Sequence, residues 1–208
     1  MRRTAAFLVA LSLAAPAAAA DLSLTLTTAS GKPIGNAVVM VRPEGGARAG
    51  QRLSGPFVMS QKDMQFQPYV LIVPLGAEVS FPNLDPFHHH VYSFSKAKTF
   101  ELKLYGKDET RRVRFDRAGV VGVGCNIHDD MSAFIRVVDT PFAAKSGANG
   151  AALVRDLPPG TANVTVWHPY LRTAGGELTQ QVTIPASGVA RIVLKGELRS
   201  PRLKRGGY

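Results

Sequence analysis

Residues 119–131 read GVVGVGCNIHDDM. An alternating apolar run, Val121 and Val123 against Gly122 and Gly124, predicts a β-strand that ends at Cys125. The residues after Cys125 must turn before Phe134 begins another apolar strand. Cys125, His128 and Met131 therefore sit on one short loop, where a thiolate, an imidazole and a thioether can point at one place. These are soft or borderline ligands, which suit copper and do not suit calcium or magnesium. Each residue alone is more often structural, and a lone cysteine commonly behaves as a small buried hydrophobe.

Cys125 is the only cysteine among 208 residues, so no intramolecular disulfide can form. The chain opens with two arginines, Arg2 and Arg3, then an apolar stretch from Ala5 to Leu13 and the small residues Ala18 to Ala20. That pattern reads as a secretory signal over residues 1–20, with the exported chain starting at Asp21, and points to the periplasm. No later segment is long and apolar enough to span a bilayer, so no transmembrane segment is expected in the mature chain. In an oxidising compartment an unpaired thiol is a liability unless it is buried, reactive or metal-bound. The formal net charge is +10, and about +8 after loss of Arg2 and Arg3. Basic residues without interleaved aromatics argue against nucleic acid. They suit an acidic protein partner. The tail at residues 199–208, RSPRLKRGGY, reads as a solvated terminus.

Outward from the ligand loop the chain reads as all-β. Leu22, Leu24 and Leu26 alternate, a turn follows at Ser30 to Pro33, and Ala37 to Val41 forms a second strand. Short strands are expected at Tyr69–Val73, Glu78–Phe81, Val91–Phe94, Lys98–Leu104, Arg111–Phe115, Val120–Cys125 and Phe134–Val138. Lys145 to Gly150, KSGANG, is a turn-rich joint, and further strands follow it. The stretch from Ala151 to Leu198 is short for a sandwich of its own. It makes a better core when paired with the first strands. The expected division is 21–57 and 141–198 for an outer β-sandwich, with 58–140 as the metal module between them. In VWHP, Trp167 is expected in the core and His168 on the surface.

A trigonal copper site needs a second imidazole. The segment NLDPFHHHVYSFS offers His88, His89 and His90 at the start of a strand, where alternation sends His89 opposite to its neighbours. Asn83 reads as a turn residue or as a donor that steadies the site, and Phe87 as a solvent shield or ordinary packing.

PNLDPFHHHV and FDRAGVVGVGCNIHDDM together resemble the two ligand segments of cupredoxins of the plastocyanin–amicyanin group. Phe115, Ala118, Gly119, Cys125, His128 and Met131 match one segment, and Asn83, His89 and Val91 match the other. The resemblance covers roughly residues 58–138. It implies a Greek-key β-sandwich binding one copper through His89, Cys125, His128 and Met131, and one-electron transfer with a redox partner. No enzyme is expected, because copper oxidases and nitrite reductases need a second copper centre, and beyond His88 to His90 and His128 only His168 remains. Asp129 and Asp130 depart from the family pattern, since carboxylates there favour the higher copper charge and compete with Met131. His90 departs too, replacing the family's asparagine. The whole chain also resembles exported bacterial proteins labelled methylamine utilization proteins, in which such a module accompanies a carboxypeptidase-regulatory-like β-sandwich. GKPIGNAVVMV and LPPGTANVTVWHP carry that second likeness. Copper delivery and a degenerate, purely structural site are the competing functions.

Overall fold

The computed structural model describes residues 19–47 and 53–199. Residues 1–18 of the expected signal segment and most of the basic tail lie outside the described residues. Among the described residues, sixteen strands and a single 3₁₀ turn at Ala174–Gly176 make up the regular structure. In chain order the strands are β1 (Ala20–Thr27), β2 (Val38–Pro43), β3 (Ser60–Lys62), β4 (Gln65–Gln67), β5 (Val70–Pro74), β6 (Glu78–Pro82), β7 (His89–Ser95) and β8 (Lys98–Tyr105). They continue as β9 (Thr110–Arg114), β10 (Gly119–Cys125), β11 (Ser132–Val138), β12 (Ala143–Lys145), β13 (Ala151–Leu157), β14 (Gly160–Trp167), β15 (Glu177–Ile184) and β16 (Gly188–Lys195).

Two sandwiches result. In the outer one, sheet β13-β1-β16 faces sheet β12-β2-β14-β15. Alternation sends Leu22, Leu24 and Leu26 of β1 inward, against Val39 and Val41 of β2 and Val164 and Val166 of β14. β1 begins at Ala20, the last residue of the expected signal segment, which is buried and paired with Leu157 and Gly188. The chain leaves this sandwich after β2 and returns to it at β12, which pairs antiparallel with β2.

Between those strands lies the second sandwich. Sheet β5-β11-β10-β7-β8 carries one face, and the pairs β6-β9 and β3-β4 cover it. Val79, Phe81, Val91, Phe115, Val121, Val123 and Ile135 fill its interior together with Cys125 and Met131. The first and last long strands of this module, β5 and β11, pair in parallel. The alternating arginines of β9 behave as a wet face: Arg112 and Arg114 are exposed while Val113 points inward.

A third apolar cluster joins the sandwiches. It takes Val38 and Met40 from β2, Val70, Val138 and Trp167. β2 is thus buried on both faces, which explains its unbroken run VVMV where a half-exposed strand would alternate. Arg136 of β11 reaches into this joint. Its guanidinium meets Glu177 at 2.6 Å and lies 5.9 Å from the Trp167 ring. Burial lowers the pKa of Arg136, and Glu177 opposes that shift. Tyr69 and Tyr170 add a hydroxyl contact of 3.0 Å between the two units. His168, expected on the surface, is buried. Its backbone N–H donates to Gly176 O, its Nδ1 accepts the Tyr170 N–H, and burial lowers its pKa.

Candidate metal centre

Strands β7 and β10 are antiparallel neighbours, and Cys125 pairs with Val91. That register sets the end of β10 beside the start of β7 and so brings Cys125 to His89. His89 is fully buried, whereas His88 is exposed and His90 is half-buried, as alternation dictates. His90 turns to Glu101 at 2.9 Å on the outer face of the sheet. The glycine before the cysteine also has a use. A Cβ on Gly124 would lie 3.1 Å from the Tyr92 ring, which occupies that space.

The ligand loop closes on itself through its backbone. The Cys125 N–H donates to Met131 O at 3.1 Å, and the Met131 N–H donates to His128 O at 3.0 Å. The Asn126 N–H donates to His90 O at 3.0 Å and ties the loop to β7. His128 is thereby folded back over Cys125. Cys125 Sγ lies 3.6 Å from His89 Nδ1 and 3.5 Å from His128 Nδ1. One donor atom from each of these residues falls within 4.8 Å of the others.

Those separations can be checked against ligand geometry. An ion about 2.0 Å from nitrogen and about 2.3 Å from sulfur, at a trigonal angle, holds the two donors about 3.7 Å apart. The S···N distances match that spacing without rearrangement. Met131 is 2 % exposed and shares the apolar cluster with Cys125. Asp129 and Asp130 lie exposed on the outer lip of the loop.

Phe87 sits over the two imidazoles, with ring centroids 5.3 Å from His89 and 5.5 Å from His128. It is itself partly exposed, so it is at once packing and shield. Asn83 is fully buried and steadies the approach to His89. Its Nδ2 donates to Phe87 O and Tyr105 O, and its Oδ1 accepts the Asp85 N–H.

Asp85 is the residue that sequence reasoning missed. It is 4 % exposed, and its Oδ2 lies 2.8 Å from His89 Nε2. The same carboxylate accepts backbone N–H groups of Asp63 at 2.7 Å and Met64 at 3.1 Å. Burial alone would raise its pKa; the His89 contact and the two N–H donors outweigh burial and hold it below the usual carboxylate value. Its four-residue spacing from His89 was visible, but nothing in PNLDPF separated it from an ordinary turn aspartate.

No family model and no curated protein matches the chain. Solved structures similar to it include a reduced Cu(I) form of an amicyanin variant, 19 % identical, covering 48 % of this chain and 98 % of that one, with a TM-score of 0.38. A copper-containing nitrite reductase from Thermus scotoductus is 26 % identical over 47 % of this chain and 25 % of its own, with a TM-score of 0.39. A purple cupredoxin from Nitrosopumilus maritimus is 19 % identical over 39 % of this chain and 96 % of its own, with a TM-score of 0.35. The chain thus spans only 25 % of the nitrite reductase's length.

Proposed function

We propose that this protein holds one copper ion on His89, Cys125 and His128, with Met131 as a weaker fourth donor, and carries single electrons in the periplasm. The observation that carries the reading is the convergence of one thiol and two imidazole nitrogens, with the sulfur 3.5 and 3.6 Å from the nitrogens and all three donors within 4.8 Å of one another. Zinc would accept the same three donors, but a thioether is a poor fourth ligand for it. When bound, copper supplies a one-electron couple.

The chain's own part is to hold the donors still and keep water out. Cys125 lies in the apolar cluster and His89 is fully buried, so both are shielded from solvent. His128 is half-buried under Phe87 and gives the site its nearest approach to the surface. Asp129 and Asp130 place negative charge beside it, which favours the more positive metal state and lowers the potential. The net charge, about +8 once Arg2 and Arg3 are lost, suits a redox partner with an acidic patch and an association that weakens with salt. In this reading the protein is a carrier rather than an enzyme. Its outer sandwich corresponds to the accessory β-module of the exported group labelled methylamine utilization proteins, without a role in methylamine oxidation being assigned. The two exposed aspartates beside His128 favour a second reading, copper delivery from a looser site.

The test is the visible and EPR spectrum of the Cu(II)-loaded protein, with Cys125→Ser beside it. An intense thiolate-to-copper band and narrow hyperfine splitting, both lost in the variant, are expected for the carrier. A weak spectrum that the substitution leaves unchanged rejects it in favour of delivery or a structural role.

A further inference from the structure

The small hairpin β3-β4 helps to cover the large sheet, and three of its backbone groups are also committed to the segment that leads into His89. Gln61 O accepts the Leu84 N–H at 2.9 Å, and the Asp63 and Met64 N–H groups converge on the Asp85 carboxylate. Asp63 and Met64 form the two-residue turn of the hairpin, between the paired residues Lys62 and Gln65. Both have φ near +55°. Left-handed backbone at both central positions usually calls for Asn-Gly or Asp-Gly, and a methionine there is strained. The strained turn aims two adjacent N–H groups at one point, and that point is Asp85. Gln61 is itself fixed from behind, because the buried Tyr105 hydroxyl donates to its Oε1 at 2.6 Å.

We infer that Asp85, clamped by the tip of the β3-β4 hairpin, is a positioning residue that selects the tautomer and orientation of His89. A carboxylate can only accept, so a proton on His89 must sit at Nε2. Nδ1 is then left with its lone pair aimed at Cys125, 3.6 Å away. Without Asp85, an imidazole in an apolar pocket could carry its proton on Nδ1 and block the donor position. Ligating histidines commonly have such a partner, and its removal typically costs about 10–100-fold in metal affinity. Here the partner is not a free side chain. It is held by a separate hairpin, which links β3-β4 to the ring orientation of a ligand about twenty-five residues away in sequence.

The first measurement needs no metal and no variant. Long-range ¹⁵N–¹H correlation on the metal-free protein should show His89 as the Nε2–H tautomer alone, with an Nε2 proton slow to exchange. An Nδ1–H tautomer, or a mixture, overturns the inference. Asp85→Asn should then give mixed tautomers and about 10–100-fold weaker Cu(I) binding in an anaerobic chelator competition. Parent-like tautomer and affinity in a folded Asp85→Asn protein overturns the inference. The affinity arm rests on the copper reading above, but the tautomer arm does not. A colourless copper complex with the expected tautomer therefore sinks the carrier and leaves the positioning role standing.

Discussion

Trp167→Ala tests whether the two sandwiches behave as one structure. Trp167 is 2 % exposed and lies in the joint cluster between Val38, Met40, Val70 and Val138. A buried tryptophan removes about 150–250 Å² from water. At about 25 cal/mol per Å² that is worth about 4–6 kcal/mol, of which the alanine methyl keeps a small part. Its edge-on contact with Phe134, centroids 5.9 Å apart, and the Arg136 guanidinium over the ring contribute within that total. Measured Trp→Ala truncations in cores cost about 3–5 kcal/mol, so the two routes agree. Against a typical stability of about 5–15 kcal/mol the loss is large. Trp167 is the only tryptophan, so urea unfolding of parent and variant is followed by far-ultraviolet circular dichroism, not fluorescence. The parent should melt in one calorimetric transition. The variant should lose about 3–5 kcal/mol and separate into two transitions as the sandwiches uncouple. A loss under about 1 kcal/mol, or two transitions already in the parent, would refute a joint that couples them.

Two further tests address local features. His168 has a pKa lowered by burial, with the Gly35 backbone partly offsetting the shift, so between its folded value and about 6.5 the unfolded chain binds more protons. Stability should therefore fall as pH drops through about 6.5, and His168→Gln should flatten that fall; denaturation midpoints running parallel for both proteins from about pH 7.5 to about pH 5.5 would count against it. Gly150 has φ +75°, and a Cβ there would overlap the Leu26 carbonyl oxygen. Gly150→Ala should cost at least about 2 kcal/mol in chemical denaturation, and a cost below about 1 kcal/mol would show that the turn can shift.

The ligand loop was legible because covalent spacing confines it: six residues from Cys125 to Met131 leave little freedom once two strands must flank them. His89 was legible in part, because alternation separates it from His88 and His90. The hairpin β3-β4 was not singled out, because its left-handed turn is made by Asp63 and Met64 and lacks the glycine that normally announces such a turn. Asp85 went unseen for the same reason: its importance comes from that hairpin, folded against it from another part of the chain. His168 was misjudged because the VWHP pattern does not show the later turn that packs beside it, whose Gly176 O accepts its backbone N–H. A pattern along one strand reports which way a side chain points, but not what arrives later to cover it.

The return of the chain at β12 has a consequence for assembly. β1 waits for β13 and β16, and β2 for β12 and β14, all of which are made after the whole inserted sandwich. The inserted sandwich has its partners within its own stretch and can close first. Folding is nested when the inner unit closes first: its two ends are then brought together, and the outer sheets register across a loop already closed for them. A lesion deep in the metal module would therefore delay the outer sandwich as well, leaving the apolar faces of β1 and β2 uncovered for longer and open to aggregation.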